Sequence, residues 1–231
     1  LESQIRLLGP KPNSIVRIGW GVDLTRFRPG LDVEALRRKW HIEEDTLVMF
    51  SPRLAQRFYN HHLVIQALEQ IRRQFPKIVL VISEQFGDPS YVRELKALAD
   101  QSHVSQDIRF VGRIPYEDMP VWLNLSALVV MVPESDGMPN TLLEAMACGA
   151  VPVLRELPQY RELIRDNVNG KYVSATAESV ARGVVALLQA DEQRKEMASV
   201  NLSLVREVAD QSKEMHRMEQ WYYKLAGEAS C

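Results

Sequence analysis

The sequence predicts an α/β domain built on a doubly wound parallel sheet. Five short apolar runs, rich in β-branched residues, alternate along the chain with stretches of helical spacing. Each run is apolar at nearly every position, which is typical of strands that are buried on both faces beneath covering helices. The predicted strands are TLVMF at 46–50, IVLVIS at 78–83, IRFV at 108–111, ALVVMV at 127–132 and VPVL at 151–154.

Helical periodicity predicts the elements between and after these strands. In the segment 176–189 the apolar residues recur every three or four positions, as on the buried face of a helix. The region 191–226 keeps this pattern as far as the aromatic cluster WYYKL, and we expect two helices there with a break near Ser212. The remaining predicted helices are 61–74, 90–102, 117–125 and 140–148.

Composition and charge exclude several classes of protein. The 231 residues are 46% hydrophobic and 25% charged, which are ordinary values for a globular domain. A net charge of -2 argues against nucleic acid as the main ligand, because binding to a phosphate backbone leaves a basic footprint. The two cysteines, Cys148 and Cys231, offer no disulfide framework, which favours a reducing, cytoplasmic location.

The chain also lacks targeting and membrane signals. No apolar run approaches the length of about 18 residues that spans a bilayer, and no signal peptide opens the sequence. The first residues, LESQIRLLGP, look like the end of a helix and contain no initiator methionine. We therefore expect the chain to be a fragment of a longer protein.

Arginines follow the first predicted strand. Ligands of doubly wound sheets bind in the crevice at the carboxyl ends of the strands, so the loops after the strands contain the candidate site. The loop SPRLAQRFYNHH carries Arg53 and Arg57, whose planar guanidinium groups could clamp a diphosphate. Two solvated surface arginines are an equally good interpretation. We interpret His61 and His62 as the start of a helix rather than as metal ligands.

The loop GRIPYEDM, at 112–119, is a candidate base site. Gly112 would allow close approach, and Ile114 would offer an apolar side chain beside free backbone groups to a flat base. Arg113, between them, is included in the predicted site. The alternative is an ordinary turn from a strand into a helix that starts near Tyr116.

The loop PESDGMP, at 133–139, leads into an almost wholly apolar helix. Gly137 would permit an unusual backbone angle, and Pro139 suits a first helical turn. Backbone amides at the start of this helix would then point unpaired toward the crevice, where the positive end of the helix dipole favours an anion. These amides are predicted at Asn140, Thr141 and Leu142.

Glu144 lies in the middle of that helix among leucine, methionine and alanine. A buried carboxylate needs partners, because an unpaired buried charge is strongly unfavourable. Vicinal ribose hydroxyls could donate hydrogen bonds to Glu144. The alternative is a structural salt bridge to Arg155 or Arg161, and we favour the ligand.

These motifs resemble the carboxy-terminal, nucleotide-sugar-binding half of retaining glycosyltransferases of family four, whose GT-B fold has Rossmann-like domains. The family's linker from its amino-terminal domain is matched by IVRIGWGVDLTRFRP, its phosphate-binding loop by SPRL, and its base-binding turn and helix by IRFVGRIPYEDMPVWL. Its paired-acid motif is matched by SDGMPNTLLEAMACGAVPV, followed by DNVNGKYV. The last match is the most specific.

The resemblance implies transfer of a sugar from a nucleoside diphosphate sugar to an acceptor hydroxyl with retention of configuration. UDP-sugar is slightly preferred as donor, GDP-sugar is the alternative, and no cofactor or metal is required. Asp136, with seven residues between it and Glu144, would contact the donor sugar, and Glu144 the ribose. The expected catalytic residues are Arg53, Asp136 and Glu144. The expected donor-binding residues are Arg53, Arg57, Arg113, Ile114, Asp136, Gly137, Met138, Pro139, Asn140, Thr141, Leu142 and Glu144.

The chain departs from the family pattern at three places. Asp136 stands where glutamate is more usual, and it is one methylene shorter. Phe58 and Tyr59 stand where members commonly carry lysine followed by glycine, so we expect Arg57 to supply the missing charge. Trp20 replaces an asparagine of the linker, outside the site.

The resemblance also implies an organisation for the whole protein. Residues 1–231 would form the donor domain, with 1–30 including the linker from an absent acceptor domain and 211–231 a helix that crosses back to it. The expected partners are the nucleotide sugar and, through the absent domain, an acceptor sugar or lipid-linked glycan of polysaccharide or glycoconjugate synthesis. Peripheral membrane contact is compatible with the full-length protein, and nucleic acid is not expected.

Two other functions stay open. The missing lysine suggests a degenerate nucleotide-sugar-binding module. A nucleotide-sugar epimerase of similar architecture is the less favoured alternative. For a transferase, we expect the isolated chain to bind donor and to transfer sugar poorly.

Overall fold

A computed structural model describes residues 5–10 and 15–227. Its core is one six-stranded sheet in the order β3-β2-β1-β4-β5-β6. All neighbouring strands are parallel, which confirms the predicted fold class. The strands are β1 Leu47–Ser51, β2 Ile78–Ile82, β3 Ile108–Phe110, β4 Leu128–Met131, β5 Val151–Arg155 and β6 Lys171–Val173.

Each central strand contributes to two apolar layers. Met49 of β1 lies opposite Leu80 of β2 and Leu128 of β4, and all three belong to one core cluster. The next residue, Phe50, lies opposite Val81 and Val129 in the cluster on the other face. This alternation explains why the runs are apolar at every position, since side chains of a strand point to opposite faces in turn.

Helices cover both faces of the sheet. Three of them begin at side-chain caps: Asp88 accepts from the Ser90 amide, Thr176 from Ser179, and Asp210 from Ser212. Asp210 caps the last helix and therefore marks the break between helices that was predicted near Ser212. The helices are α1 Glu34–Trp40, α2 His61–Arg72, α3 Pro89–Asp100, α4 Met119–Leu125, α5 Asn140–Cys148, α6 Ala177–Gln189, α7 Asp191–Val208 and α8 Gln211–Ala226.

The five predicted strands are confirmed, and so are the predicted helices, with ends that differ by a few residues at most. Among the strands and α-helices of the described residues, two were not predicted. Strand β6 has three residues, which is too short for a periodic signal, and α1 has no buried residue to mark an apolar face. In the part of the chain that is described, no helix has the length and apolar character needed to cross a membrane.

The chain reverses its strand order at β1. Strands β2 and β3 lie on one side of β1, and β4, β5 and β6 lie on the other. The loops that follow β1 and β4 therefore diverge and leave a crevice between them, which is the usual ligand position in such sheets.

The predicted linker is hydrogen bonded to the junction between α7 and α8. The Val22 amide donates to the Ala209 carbonyl at 2.7 Å, and the Gln211 amide donates to the Val22 carbonyl at 3.1 Å. Gly21 has φ +68°, and a Cβ there would lie 2.6 Å from the Cα of Gln211. Positions 1–4 and 11–14 of the expected 1–30 linker segment, and 228–231 of the expected crossing helix, lie outside the described residues.

We predict that Gly21→Ala lowers the free energy of unfolding more than Gly30→Ala does. Both glycines have positive φ, but a Cβ at Gly30 would meet nothing within 4 Å. The shared left-handed backbone should cost about 1 to 2 kcal/mol in each variant, and overpacking about 1 to 3 kcal/mol more in Gly21→Ala alone. Urea unfolding measures both, and equal losses would show that close packing at Gly21 contributes nothing.

Candidate functional site

The loops after β1 and β4 are hydrogen bonded to each other beside the crevice. The side-chain amide of Asn60 donates to the Val132 carbonyl at 3.0 Å. The Glu134 amide donates to the Phe58 carbonyl at 2.9 Å. Because each loop holds the other, the side chains that they carry have fixed relative positions.

A buried histidine holds the first loop against its strand. The Nε2 of His61 lies 2.9 Å from the Leu54 carbonyl oxygen and must carry the proton, so Nδ1 accepts from the Ser51 hydroxyl at 2.8 Å. Burial lowers the pKa of His61 to about 4, which keeps the ring neutral. His61 is the first residue of α2, as predicted, and no group of metal-ligating side chains occurs in the described ranges.

Arg53 crosses the crevice from the first loop to the second. Its Nη2 lies 3.0 Å from both carboxylate oxygens of Asp136, and the two side chains are 16% and 10% exposed. The same nitrogen donates to the Tyr59 hydroxyl at 3.2 Å, and the guanidinium carbon lies 4.8 Å from the centre of that ring. Its other terminal nitrogen, Nη1, has no hydrogen-bond partner among the described residues. Arg53 thus keeps a donor for a ligand.

Asp136 is held from several sides. The Tyr160 hydroxyl donates to Oδ2 at 3.0 Å, and the Gly137 amide donates to Oδ1 at 2.9 Å. The side chain of Gln159 donates to the Asp136 carbonyl. Burial, and then the nearby Asp136 carboxylate, raise the pKa of Tyr160, so its hydroxyl remains a donor. The carboxylate is therefore fixed at the rim of the crevice.

Glu144 is 7% exposed and forms no salt bridge within the described chain. Burial raises its pKa to about 7, and the Tyr116 hydroxyl and the Arg53 guanidinium oppose that shift. The alternative salt bridge is wrong, because Arg155 donates to the Pro133 carbonyl and Arg161 pairs with Glu156. Glu144 therefore retains acceptor capacity for a ligand.

The start of α5 differs from the prediction in two details. The Leu142 amide donates to the Pro139 carbonyl at 3.0 Å, so it is not free. In the described structure, the amides of Asn140 and Thr141 are the ones without a partner. Gly137 does not have the positive φ that was expected; instead, a Cβ there would meet nothing within 4 Å, so the space around it is open.

The loop after β3 places its predicted residues in different surroundings. The side chain of Ile114 is buried in the core cluster and also lines a pocket with Trp40 and Arg113, so its contact with a base stays a prediction. Met138, on the loop after β4, packs against the same cluster. The guanidinium of Arg113 lies 5.1 Å from the ring centre of Phe86, an exposed residue after β2 that the sequence analysis missed. The available sequence signal was an aromatic residue in the loop that follows a predicted strand.

Arg57 does not join Arg53 and Asp136. It pairs with Glu94 of α3, and its guanidinium lies 5.2 Å from the ring centre of Tyr91. Its side chain is 66% exposed. To bind a diphosphate beside Arg53, Arg57 would have to leave this pair.

Comparison with known proteins relates the chain to glycosyltransferases. The family model described as "Glycosyl transferases group 1" matches residues 32–201. The chain is 28% identical over 200 residues to the D-inositol 3-phosphate glycosyltransferase of Xylanimonas cellulosilytica, covering 84% of this chain and 47% of that protein. It is also 28% identical over 182 residues to the GDP-mannose-dependent alpha-(1-6)-phosphatidylinositol monomannoside mannosyltransferase of Mycolicibacterium smegmatis, covering 75% and 47%. The chain spans about half the length of these curated relatives.

Solved structures share the fold at lower sequence identity. Anabaena Alr3699/HepE, in complex with UDP and glucose, superposes with a TM-score of 0.85 at 18% identity, over 96% of this chain and 60% of that one. The sucrose-phosphate synthase tll1590 of Thermosynechococcus elongatus gives 0.82 at 19% identity, over 98% and 56%. Because the family model spans well over half of the sequence, the chain belongs to the group 1 glycosyltransferases.

Proposed function

We propose that the crevice between the loops after β1 and β4 binds a nucleoside diphosphate sugar and assists departure of the diphosphate. One observation carries this proposal: Arg53, with a free Nη1, and Glu144, without an ion pair, lie in the same crevice beside the start of α5. A cation, free amides and an isolated carboxylate match the phosphates and ribose of one ligand.

Each group has a distinct proposed role. Arg53 and the amides of Asn140 and Thr141 neutralise the charge that grows on the leaving diphosphate, without a metal. Glu144 accepts hydrogen bonds from the ribose hydroxyls. Asp136, whose carboxylate is fixed by Tyr160 and Arg53, accepts one from a hydroxyl of the donor sugar. Arg113 and Phe86 flank the base beside the backbone of the loop after β3.

We propose the donor and the acceptor as chemical classes. UDP-sugar is our slight preference, and a related structure contains UDP, whereas one curated relative is named for GDP-mannose. The relatives' names place inositol phosphate and a phosphatidylinositol mannoside among acceptors of related enzymes. We propose that this protein transfers sugar, with retention, to a hydroxyl in polysaccharide or glycoconjugate synthesis, together with an acceptor-binding domain.

One observation favours a second candidate, a degenerate binding module. Arg53 is already paired with Asp136, and Phe58 stands where the family commonly has a lysine. A complete protein that binds donors but neither transfers nor hydrolyses them would establish this alternative. Family membership favours sugar transfer over epimerisation. Incubation of a nucleotide sugar without an acceptor would detect an epimerase, because an epimerase needs no acceptor to convert it.

We predict that UDP affinity falls as the pH is lowered through about 7. The raised pKa of Glu144 means that the carboxylate becomes protonated below this pH, and the ribose hydroxyls donate stronger hydrogen bonds to the ionised form. Affinity should fall by up to about tenfold per pH unit. Glu144→Gln should bind UDP about 5- to 30-fold more weakly at pH 8.

Calorimetry of both proteins between pH 8 and pH 5.5 tests this prediction. Titration of the ligand phosphates affects both proteins equally, so the difference between them reports Glu144. Unchanged affinity in a folded Glu144→Gln variant would exclude the ribose role.

We predict that Arg53→Ala weakens UDP binding by about 10- to 100-fold, because a charge-assisted contact to phosphate is lost. Uridine affinity should stay nearly unchanged, since it lacks the phosphates. Arg57→Ala should change UDP affinity by less than about threefold, because Arg57 pairs with Glu94 and contacts neither Arg53 nor Asp136 in the described structure. A matching loss in Arg57→Ala would instead establish the predicted role of Arg57 in place of the lysine.

We predict that the 231-residue chain alone binds UDP or GDP and transfers little sugar. The described crevice supplies groups for the donor, whereas an acceptor site is proposed to lie on another domain. Calorimetry with nucleoside diphosphates and a transfer assay with nucleotide sugars measure the two properties. Efficient transfer to an added acceptor by this chain would contradict the proposed division of the site.

A further inference from the structure

We propose that Tyr59 is a further phosphate-binding residue, whose hydroxyl donates a hydrogen bond to the diphosphate beside Arg53. The inference rests on the proposed function and assigns the second phosphate donor to a neutral side chain. It differs from the sequence-based expectation, which gave that role to Arg57.

The Tyr59 hydroxyl lies close to the proposed phosphate donor. Its oxygen is 3.2 Å from Arg53 Nη2, on the same guanidinium as the free Nη1, so a phosphate bound by this guanidinium would lie beside the hydroxyl. A phosphate group presents several acceptor oxygens, and neighbouring donors can therefore bind it together.

The Tyr59 hydroxyl has a proton that it can donate. The Tyr59 hydroxyl accepts a hydrogen bond from Arg53, and its own proton has no acceptor among the residues that the structure describes. A tyrosine hydroxyl can accept and donate at the same time. A phosphate oxygen would supply the missing acceptor.

Tyr59 is also held in a fixed position. Tyr59 ends a short 3-10 turn, Arg57–Tyr59, and the side chain of the next residue, Asn60, is bonded to the Val132 carbonyl. The Phe58 carbonyl accepts from Glu134 on the other loop of the crevice. The Tyr59 ring also lies beneath the Arg53 guanidinium. Preorganised donors of this kind stabilise charge that develops on a leaving group.

The alternatives in the same loop fit less well. Arg57 is engaged with Glu94 and Tyr91. Phe58 is apolar and cannot donate. Tyr59 is therefore the residue of this turn that contacts Arg53 and has a donor to offer.

The test is Tyr59→Phe, which removes the hydroxyl and keeps the ring beneath Arg53. Calorimetry with UDP, GDP, uridine and guanosine should show diphosphate affinity lowered by about 5- to 20-fold and nucleoside affinity within about twofold of the parent. Tyr222→Phe, the same change at an exposed position on α8, is the matched control and should leave all affinities unchanged. Thermal unfolding should give similar midpoints for all three proteins.

A second comparison separates direct contact from positioning of Arg53. If the hydroxyl contacts phosphate, Tyr59→Phe should still lower diphosphate affinity in an Arg53→Ala background. A loss that disappears there, or parent-like affinity in the single variant, would overturn the inference and leave the proposed function intact. A parent that binds neither UDP nor GDP would overturn both.

Discussion

The central position of β1 in a wholly parallel sheet determines where this molecule can bind a ligand. The strand order continues from β1 toward β2 on one side and toward β4 on the other. The crevice lies at this switch point, between the loops that follow β1 and β4. Parallel pairing also buries both faces of β1 and β4, and the apolar runs follow from that burial. The helix α5, which comes after β4, then presents its positive end to the same crevice.

The buried charged side chains of the crevice differ in whether they have an ion-pair partner. Arg53 and Asp136 offset the cost of desolvation by pairing, and Tyr59, Tyr160 and the Gly137 amide add further hydrogen bonds to the pair. Glu144 has no ion pair within the described chain, and burial raises its pKa although the Tyr116 hydroxyl and the Arg53 guanidinium oppose the shift. A buried carboxylate without an ion pair, beside free helix amides, is expected to serve a ligand, because functional sites often contain groups that reduce local stability.

Membership of the group 1 glycosyltransferases supports the proposed class of reaction, but the proposed chemistry of this chain depends on its own site residues. The loop after β1 carries Phe58 and Tyr59, and Arg57 turns toward α3. The neutral Tyr59 hydroxyl beside Arg53 would neutralise less of the diphosphate charge than two cationic side chains would. The proposed site therefore relies on preorganisation, with Arg53 held between Tyr59 and Asp136.

The sequence alone determined the fold class, five of the strands and most helices, because those depend on periodicity over a few neighbouring residues. It also predicted Arg53, which follows a strand, and Glu144, which interrupts an apolar helix, as site residues. The family resemblance added Asp136, and the roles of all three stay predictions. Only the tertiary structure decided the strand order, the short strand β6, the burial of Ile114 and the pairing of Arg57 with Glu94. The contacts of Arg53 with Asp136 and of Glu84 with Gly112 join residues far apart in the chain. Local patterns carry no information about such partners, since they meet only when the sheet brings the loops together.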